Sequence, residues 1–452
     1  MTFEVEHYDV ELDLLPVAPG RATRLFGGEI RVVAKLALRN RGSLPIDRLC
    51  LDLYRLLQVD DVEAHGTPCE WTQDVESLSQ RHQVNVLRIH LPESAEPGQA
   101  VSVQVSYSGP ICGAPEVYAY VWDHVAPEFS LLRWELKWFP WIHDLRLPET
   151  DFGYDLTVRN PETMVVVSEG IRTELPTQPG LSRVRFTCPR RQKYRFTVAG
   201  APFSIRKISD GVTLYLLGDE SPVPVIQEVL SLTESACRSW FGQVPDQPFS
   251  IVEIPEGYGS ESSIGLVLQT ADGFGRGLDH QQALRQAIHA FGHEVIHRWH
   301  PRPAALDRTR LMDEGLTHYL EACLLGQVLG QDAFHDRMAR YRSSFLANHV
   351  SETIASCGES VDATSRGKGP WAFAVLHEIL GERFESVLRD YSAAFSGQDA
   401  TWQDFVTVVE KATPGNGSKW RDSWIESTAS TSWISEEESI PNLARLTLDW
   451  NG

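Results

Sequence analysis

The chain has 452 residues, too long for one typical hydrophobic core, so two or three domains are expected. Its 42% hydrophobic and 23% charged residues are an ordinary globular composition, and 61 acidic against 41 basic side chains give a net charge of −20, which argues against nucleic acid as a partner. No stretch approaches eighteen uncharged apolar residues, so no membrane span is expected.

The N-terminus, MTFEVEHYDVELDLLP, lacks the basic start and apolar core of a signal peptide. Seven cysteines (Cys50, Cys69, Cys112, Cys188, Cys237, Cys323 and Cys357) are scattered singly with no C-x-x-C pair. Free thiols and a cytoplasmic location are the expectation.

Up to about residue 205 the chain reads as strands. Tyr8, Val10, Leu12 and Leu14 alternate with Asp9, Glu11 and Asp13. Val101, Val103, Val105 and Tyr107 repeat the pattern, as do Tyr154, Leu156 and Val158, then Tyr194, Phe196 and Val198. Such runs, split by turn segments like PESAEPGQ and LPTQPGLS, predict antiparallel strands with one wet face. They predict an N-terminal all-β domain, a saddle or sandwich, over 1–205. VTLYLLG and FSIVEI then look like strands, and helical periodicity follows at about 222–241, 279–300, 311–328, 331–349 and 370–381. The second domain, 206–452, is therefore mixed α/β, with a Ser/Thr/Glu-rich tail from 426 expected to be mobile.

HEVIHRWH, at 293–300, carries the chemistry. On a helix over 281–299, Leu284, Ile288, Phe291, Val295 and Trp299 share a core side, while His289, His293 and His297 share the opposite one. Imidazoles four apart can reach one ion, and the adjacent Glu294 can face a water on that ion and take its proton. A solvated histidine face fits the same five residues. Sixteen residues beyond His297 comes DEGLTHYLE, 313–321, where Glu314, Thr317, His318 and Glu321 share a helical face. Glu314 could complete the site, and Glu321 could hydrogen-bond a ligand histidine; a pair of solvated glutamates is the alternative.

HEVIHRW and DEGLTHYLE together resemble the gluzincin zinc metallopeptidases of the aminopeptidase N type, whose pattern is H-E-x-x-H, a spacer, then N-E-G-F-x-x-Y-x-E. HYDVELDLLP, VSVQVSYSGPI, KWFPWIHD, YDLTVRNPETMVVVSEG, YRFTVAGAPFSI and WFGQVPDQPFSIVEIPEGYG follow in the family's order. The resemblance implies a thermolysin-like α/β catalytic domain behind the β domain. It also implies one Zn2+ ion on His293, His297 and Glu314, Glu294 as general base, and a peptide or peptide-like substrate.

Four departures stand out. The spacer is shorter than the family's usual eighteen residues. The strand that carries G-A-M-E-N in the family reads GSESSIGLV, 259–267, here. Ser262 and Ser263 take the places of the amine-binding glutamate and the asparagine. Glu261 sits one residue early and points to the other strand face. Gly259, Glu261, Ser262 and Ser263 are the candidate substrate-binding residues on that strand, with His318 beside Glu314 as another. The tyrosine that stabilises the oxyanion aligns with Arg366 in SRGKGPWAF; a guanidinium can do that work by charge or bind an acidic substrate group. The chain also ends where fuller members continue into a helical domain, so a more open cleft is expected. His289 and His300 are expected to be supporting or solvated.

These features predict a zinc metallopeptidase hydrolysing peptide bonds through a metal-activated water, with atypical specificity. The alternatives are a zinc hydrolase of a non-peptide amide or epoxide, and a zinc-retaining peptide binder without turnover.

Overall fold

The computed structural model describes residues 3–16, 28–77, 82–114, 121–143, 151–193, 196–209, 211–242, 248–263, 265–304, 307–348, 351–357 and 361–450. Tyr194 and Ile264, each in a segment singled out above, lie outside the described residues. The chain forms two units: Met1–Asp219 with Gln247–Ala271, and Glu220–Asp246 with Asp272–Gly452.

The first unit is built on an eight-stranded sheet. Its order is Ile171–Glu174, Leu181–Lys193, Asp151–Pro161, Phe3–Leu15, Glu29–Asn40, Ala100–Pro110, Gln58–Ala64, Thr67–Pro68. The alternation read from the sequence holds: Tyr8, Val10, Leu12 and Leu14 are buried. Strand direction departs from expectation at one pair, because Phe3–Leu15 runs parallel to Asp151–Pro161, Tyr8 opposite Tyr154 and Leu12 opposite Val158. Period-two patterning reports which face is buried; only a tight hairpin forces neighbours to be antiparallel, and none joins these two. A four-stranded sheet (Trp141–Ile142, Ile46–Tyr54, Gln83–Ala95, Glu70–Ser77) contributes Leu49, Leu51, Leu53, Leu87 and Ile89 to the same core. Trp138, Phe139, Phe152 and Phe196 fill it, and Tyr154 stacks on Phe196 with centroids 4.2 Å apart.

A five-stranded mixed sheet follows, in the order Ser204–Ser209, Val212–Leu216, Phe249–Ile254, Leu266–Thr270, Glu261–Ser262. By its contacts this sheet groups with the first unit, although it lies beyond residue 205. The reason is its apolar face. Tyr215, Val252, Ile254, Leu266 and Leu268 share a second core with Phe129, Leu131, Val167, Ala199 and Ala201.

The second unit is helical. α1 (Val223–Phe241) and α2 (His280–Ala287) are followed by α3 (His293–His297), α4 (Leu316–Leu329) and α5 (Gln331–Ala347). α2 opens on a capping box, in which Asp279 accepts from Gln282 N–H and Gln282 reaches back. Helices Gly369–Leu380, Arg383–Ala394, Trp402–Ala412, Asn416–Trp420, Ala429–Glu436 and Ile440–Asp449 complete the unit. The tail from 426, read above as mobile from its composition, is built as the last two of these. Ile434 and Leu443 have no exposed surface, and Trp424 Nε1 donates to Thr447 Oγ1 at 2.8 Å. Among the described residues no helix is long and apolar enough to cross a membrane, and the seven cysteines are free thiols.

Candidate metal centre

The segments that carry the candidate residues share one local device. α2 does not run uniformly to residue 299; a π-turn, Ile288–Gly292, closed by His293 N–H on Ile288 C=O, feeds α3. The core stripe survives it: Leu284, Ile288, Phe291, Val295 and Trp299 are all buried. A second π-turn, Leu311–Gly315, carries Glu314 into α4, and a third, Thr364–Lys368, carries Arg366 into Gly369–Leu380. Such turns are rare and concentrate at functional sites. The second and third meet where neither chain has a side chain: a Cβ on Gly369 would lie 3.1 Å from Gly315 Cα. That close approach lets Glu314 and Arg366 meet.

His293, His297 and Glu314 converge, with their potential ligand atoms all within 4.8 Å of one another. His293 Nε2 is 3.1 Å from His297 Nε2 and 3.6 Å from Glu314 Oε2. Ligands 2.0–2.1 Å from a tetrahedral ion lie roughly 3.4 Å apart. The other ring nitrogens are engaged. His293 Nδ1 lies 3.0 Å from Glu321 Oε2, and His297 Nδ1 lies 3.2 Å from Asp313 Oδ1 and 3.3 Å from Thr317 Oγ1. Donation of each Nδ1–H to its carboxylate turns both Nε2 lone pairs and one anionic oxygen toward a common point, a donor set that suits a divalent cation.

Two further groups bring their potential ligand atoms equally close: His293, His318 and Glu321, and His297, His300 and Asp313. Their chemistry is less suited. Glu321 has no exposed surface, and its oxygens already serve His289, His293, His318, Tyr341 and Arg337. In the last cluster His300 Nε2 is 3.1 Å from Thr317 Oγ1, and burial drives its pKa down to about 4.

Charge is organised around two buried glutamates. Burial acts to raise the Glu314 carboxyl, but the hydrogen bond from His293 and the His297 and Arg310 charges hold it far below the usual range. Arg310 Nη2 donates to Glu314 Oε1 at 2.5 Å, and Arg366 Nη2 to the same oxygen at 3.2 Å. Arg310 is held at φ 52°, a left-handed conformation uncommon outside glycine, at the mouth of the π-turn. Burial likewise works to raise Glu321, and the bonds from His289, His293 and His318 with the Arg337 charge overcome it. Between them, burial disfavours the charged form of His293, whereas Glu314 and Glu321 carry its pKa up to about 10. Occupancy by a cation would displace that proton.

Glu294, directly after His293, differs from both. Its Oε2 is buried and has no hydrogen-bond partner among the described residues. A buried carboxylate oxygen without a partner is costly, and it marks a place where a non-protein donor is wanted.

The remaining candidates are placed as follows. His318, a candidate substrate-binding residue above, is buried between the two glutamates: Nε2 is 3.4 Å from Glu314 Oε2 and Nδ1 3.4 Å from Glu321 Oε2. Burial lowers its pKa to about 4. Arg366 is half exposed and reaches Glu314. His289, though half exposed, lies 3.2 Å from Glu321 Oε1. Gly259, Glu261, Ser262 and Ser263 belong to the first unit, where Glu261–Ser262 is an edge strand on Leu266–Thr270. Glu261 Oε2 is 3.4 Å from Nε of Arg133, a fully buried arginine that also donates to the carbonyl of Gly259 at 3.0 Å. Ser263 N–H donates to Leu266 C=O at 2.7 Å.

Sequence reasoning did not single out Arg310, Asp313, Arg337 or Tyr341. Arg310 and Glu314 are four apart, as are Asp313 and Thr317, so helical spacing could have flagged them. Arg337 and Tyr341 reach the site from α5, which only tertiary packing reveals.

Solved structures decide the fold. An M1 zinc metallopeptidase from Deinococcus radiodurans superposes with TM-score 0.66 at 17% identity, covering 94% of each chain. The fold is that of the M1 zinc metallopeptidases. A variant of the Deinococcus protein bound to a Tyr-Ser-Ala substrate matches with TM-score 0.67 at 18% identity over 94% of each chain. Yeast LTA4 hydrolase matches with TM-score 0.67 at 16% identity, covering 94% of this chain and 68% of its own. The M1 architecture of a β-rich N-terminal region followed by a helical, thermolysin-like region is thus present here, as the sequence motifs implied. No protein-family model matches the chain, and no curated protein sequence matches it.

Proposed function

We propose that the chain is a zinc-dependent hydrolase that cleaves peptide bonds, with a specificity unlike that of an amine-anchored aminopeptidase. One observation carries this reading: His293 and His297 Nε2 converge with Glu314, and the residue next to His293, Glu294, has a buried Oε2 with no hydrogen-bond partner among the described residues. His293, His297 and Glu314 would hold one zinc ion. Bound there, zinc supplies Lewis acidity that polarises a carbonyl and acidifies water.

The chain's own groups do the rest. Glu321 and Asp313 fix the tautomer and orientation of the two imidazoles. Glu294 Oε2 takes a proton from the attacking water as its oxygen bonds to the carbonyl carbon. The same carboxyl returns the proton to the nitrogen as the C–N bond breaks. Arg366, anchored by one nitrogen on Glu314, presents its other N–H groups to the developing oxyanion. The Deinococcus structure that carries a Tyr-Ser-Ala substrate, and a two-domain M1 zinc metallopeptidase structure that carries L-arginine, support a peptide-like ligand.

The pairing of Glu261 with Arg133 favours a second reading on the same scaffold. A carboxylate engaged by a buried guanidinium is poorly suited to bind a substrate amine. A small amide or an epoxide, with no free α-amine, is therefore the alternative substrate class. A binding protein without turnover is disfavoured, since it has no use for a partnerless Glu294.

The test is to purify the protein, measure zinc by atomic emission, and compare wild type with Glu294→Gln on peptide, small-amide and epoxide panels. Expected is about one zinc per chain in both, with turnover reduced by about 10²–10⁴ in the variant. A zinc-loaded wild type that turns over nothing on any panel overturns the hydrolase reading.

A further inference from the structure

In a chain with 61 acidic and 41 basic residues, arginines are expected to find carboxylates. In one cluster of the helical unit only one of three does, Arg337, which reaches Glu321. Arg285, Arg337 and Arg340, with Gln286, His289 and Leu325, line a small cavity of about 80 Å³, and no carboxylate lines it. Arg285 and Gln286 come from α2, His289 from the π-turn after it, and Arg337 and Arg340 from one face of α5, three residues apart. Neither the Arg285 nor the Arg340 side chain makes an ion pair or hydrogen bond to any described residue.

Arg337 is the fixed member. Its Nε donates to Tyr341 Oη at 3.0 Å, and Nη2 donates to Glu321 and lies against His289 Nδ1. Its guanidinium carbon sits 5.2 Å over the Tyr341 ring. The side chain is thereby held in one orientation at little further entropic cost. Nη1 has no partner among the described residues. Three guanidiniums and an amide offer many N–H donors, and carboxylate and phosphate oxygens are the acceptors whose geometry matches that fork.

We propose that this cavity is a binding site for one small oxyanion of the phosphate or sulfate class. Its size admits a single tetrahedral headgroup. The net charge of −20 repels a long polyanion, which separates this site from a nucleic-acid surface. The site lies behind the candidate metal ligands, joined to them through Arg337 and Glu321, but it does not depend on the zinc reading. It takes no part in the proposed hydrolysis.

The experiment is isothermal titration of inorganic phosphate into the purified full chain, freed of unbound metal. Wild type is compared with the Arg285→Gln/Arg340→Gln double variant and with Arg285→Lys/Arg340→Lys. Far-UV circular dichroism checks the fold of all three. Saturable one-site binding is expected in wild type, weakened at least tenfold in the glutamine variant. The lysine variant, which keeps the charge, should bind with intermediate affinity. Titration repeated on chelator-stripped protein should give the same phosphate affinity. No saturable binding by wild type, equal affinity in all three proteins, or binding that vanishes with the metal each overturns the proposal.

Discussion

His293 Nδ1 and Glu321 Oε2 lie 3.0 Å apart, and the Glu321 side chain has no exposed surface. The carboxylate thus fixes the imidazole and, by withdrawing the Nδ1 proton toward itself, makes Nε2 a stronger donor to a metal. Glu321→Gln keeps the shape and loses the charge. Zinc affinity is expected to fall by about 10–100-fold in a chelator competition. Stability should fall too, by about 3 kcal/mol, because Arg337 loses its buried counter-charge. An unchanged zinc affinity in a folded variant would mean that Glu321 is structural only.

Arg366 is the residue whose role the geometry divides. One nitrogen is 3.2 Å from Glu314 Oε1, yet 48% of its side chain remains exposed. As the oxyanion group its replacement by Ala should lower kcat by about 10²-fold, with zinc content and KM little altered. Arg366→Lys should recover part of the rate, since a point charge remains without the fork. Loss of zinc affinity at unchanged kcat in zinc excess would instead assign Arg366 to holding Glu314.

For Glu261 the discriminating readouts are stability and KM. Its carboxylate sits 3.4 Å from Arg133, which has no exposed surface. Burial raises the pKa of neighbouring Asp123 to about 7, so that second carboxyl compensates Arg133 only partly near neutral pH. Glu261→Gln should therefore lower the unfolding free energy by about 1–3 kcal/mol while leaving KM for an amine-bearing peptide within a few-fold. A KM raised tenfold or more with unchanged stability would return Glu261 to the substrate-binding role that its sequence position suggested.

The parts of the molecule legible in the sequence are those set by local period and spacing. Alternation placed Tyr8, Val10 and Leu12 in the core, and the i, i+4 pair His293 and His297 was visible at once. Glu314 needed a motif, because sixteen residues of spacer carry no geometric information. Which core the strand Phe249–Ile254 joins is not legible locally, because its partners Phe129, Leu131 and Ala199 are distant in sequence. Composition does not show the helices of the tail, since a few buried side chains such as Ile434 and Leu443 suffice to dock a serine-rich helix. Helix Trp402–Ala412 is not among the helices read from the sequence, although Thr401 and Asp404 form a capping box at its start. The π-turns that bring Glu314 and Arg366 together have no simple sequence signature beyond Gly315 and Gly369.

Lys368 offers a test independent of catalysis. It closes the π-turn that carries Arg366, has no exposed surface, and donates from Nζ to Ser427 C=O at 3.3 Å. Burial pushes its pKa from 10.5 down to about 8. Between those values the unfolded chain binds more protons than the native one, so this group makes stability rise with pH across that window. Below pH 8 both states are protonated and the penalty for the buried charge is complete, at most about 3 kcal/mol. Lys368→Met removes the charge while keeping the apolar stem. Denaturant unfolding at pH 7, 8 and 9 should find the variant more stable than wild type at pH 7, by about 1–3 kcal/mol once the lost hydrogen bond is counted. The gap should narrow steadily toward pH 9. A variant less stable at pH 7, or a gap that does not change with pH, would show that Lys368 is not a buried charge in the native protein.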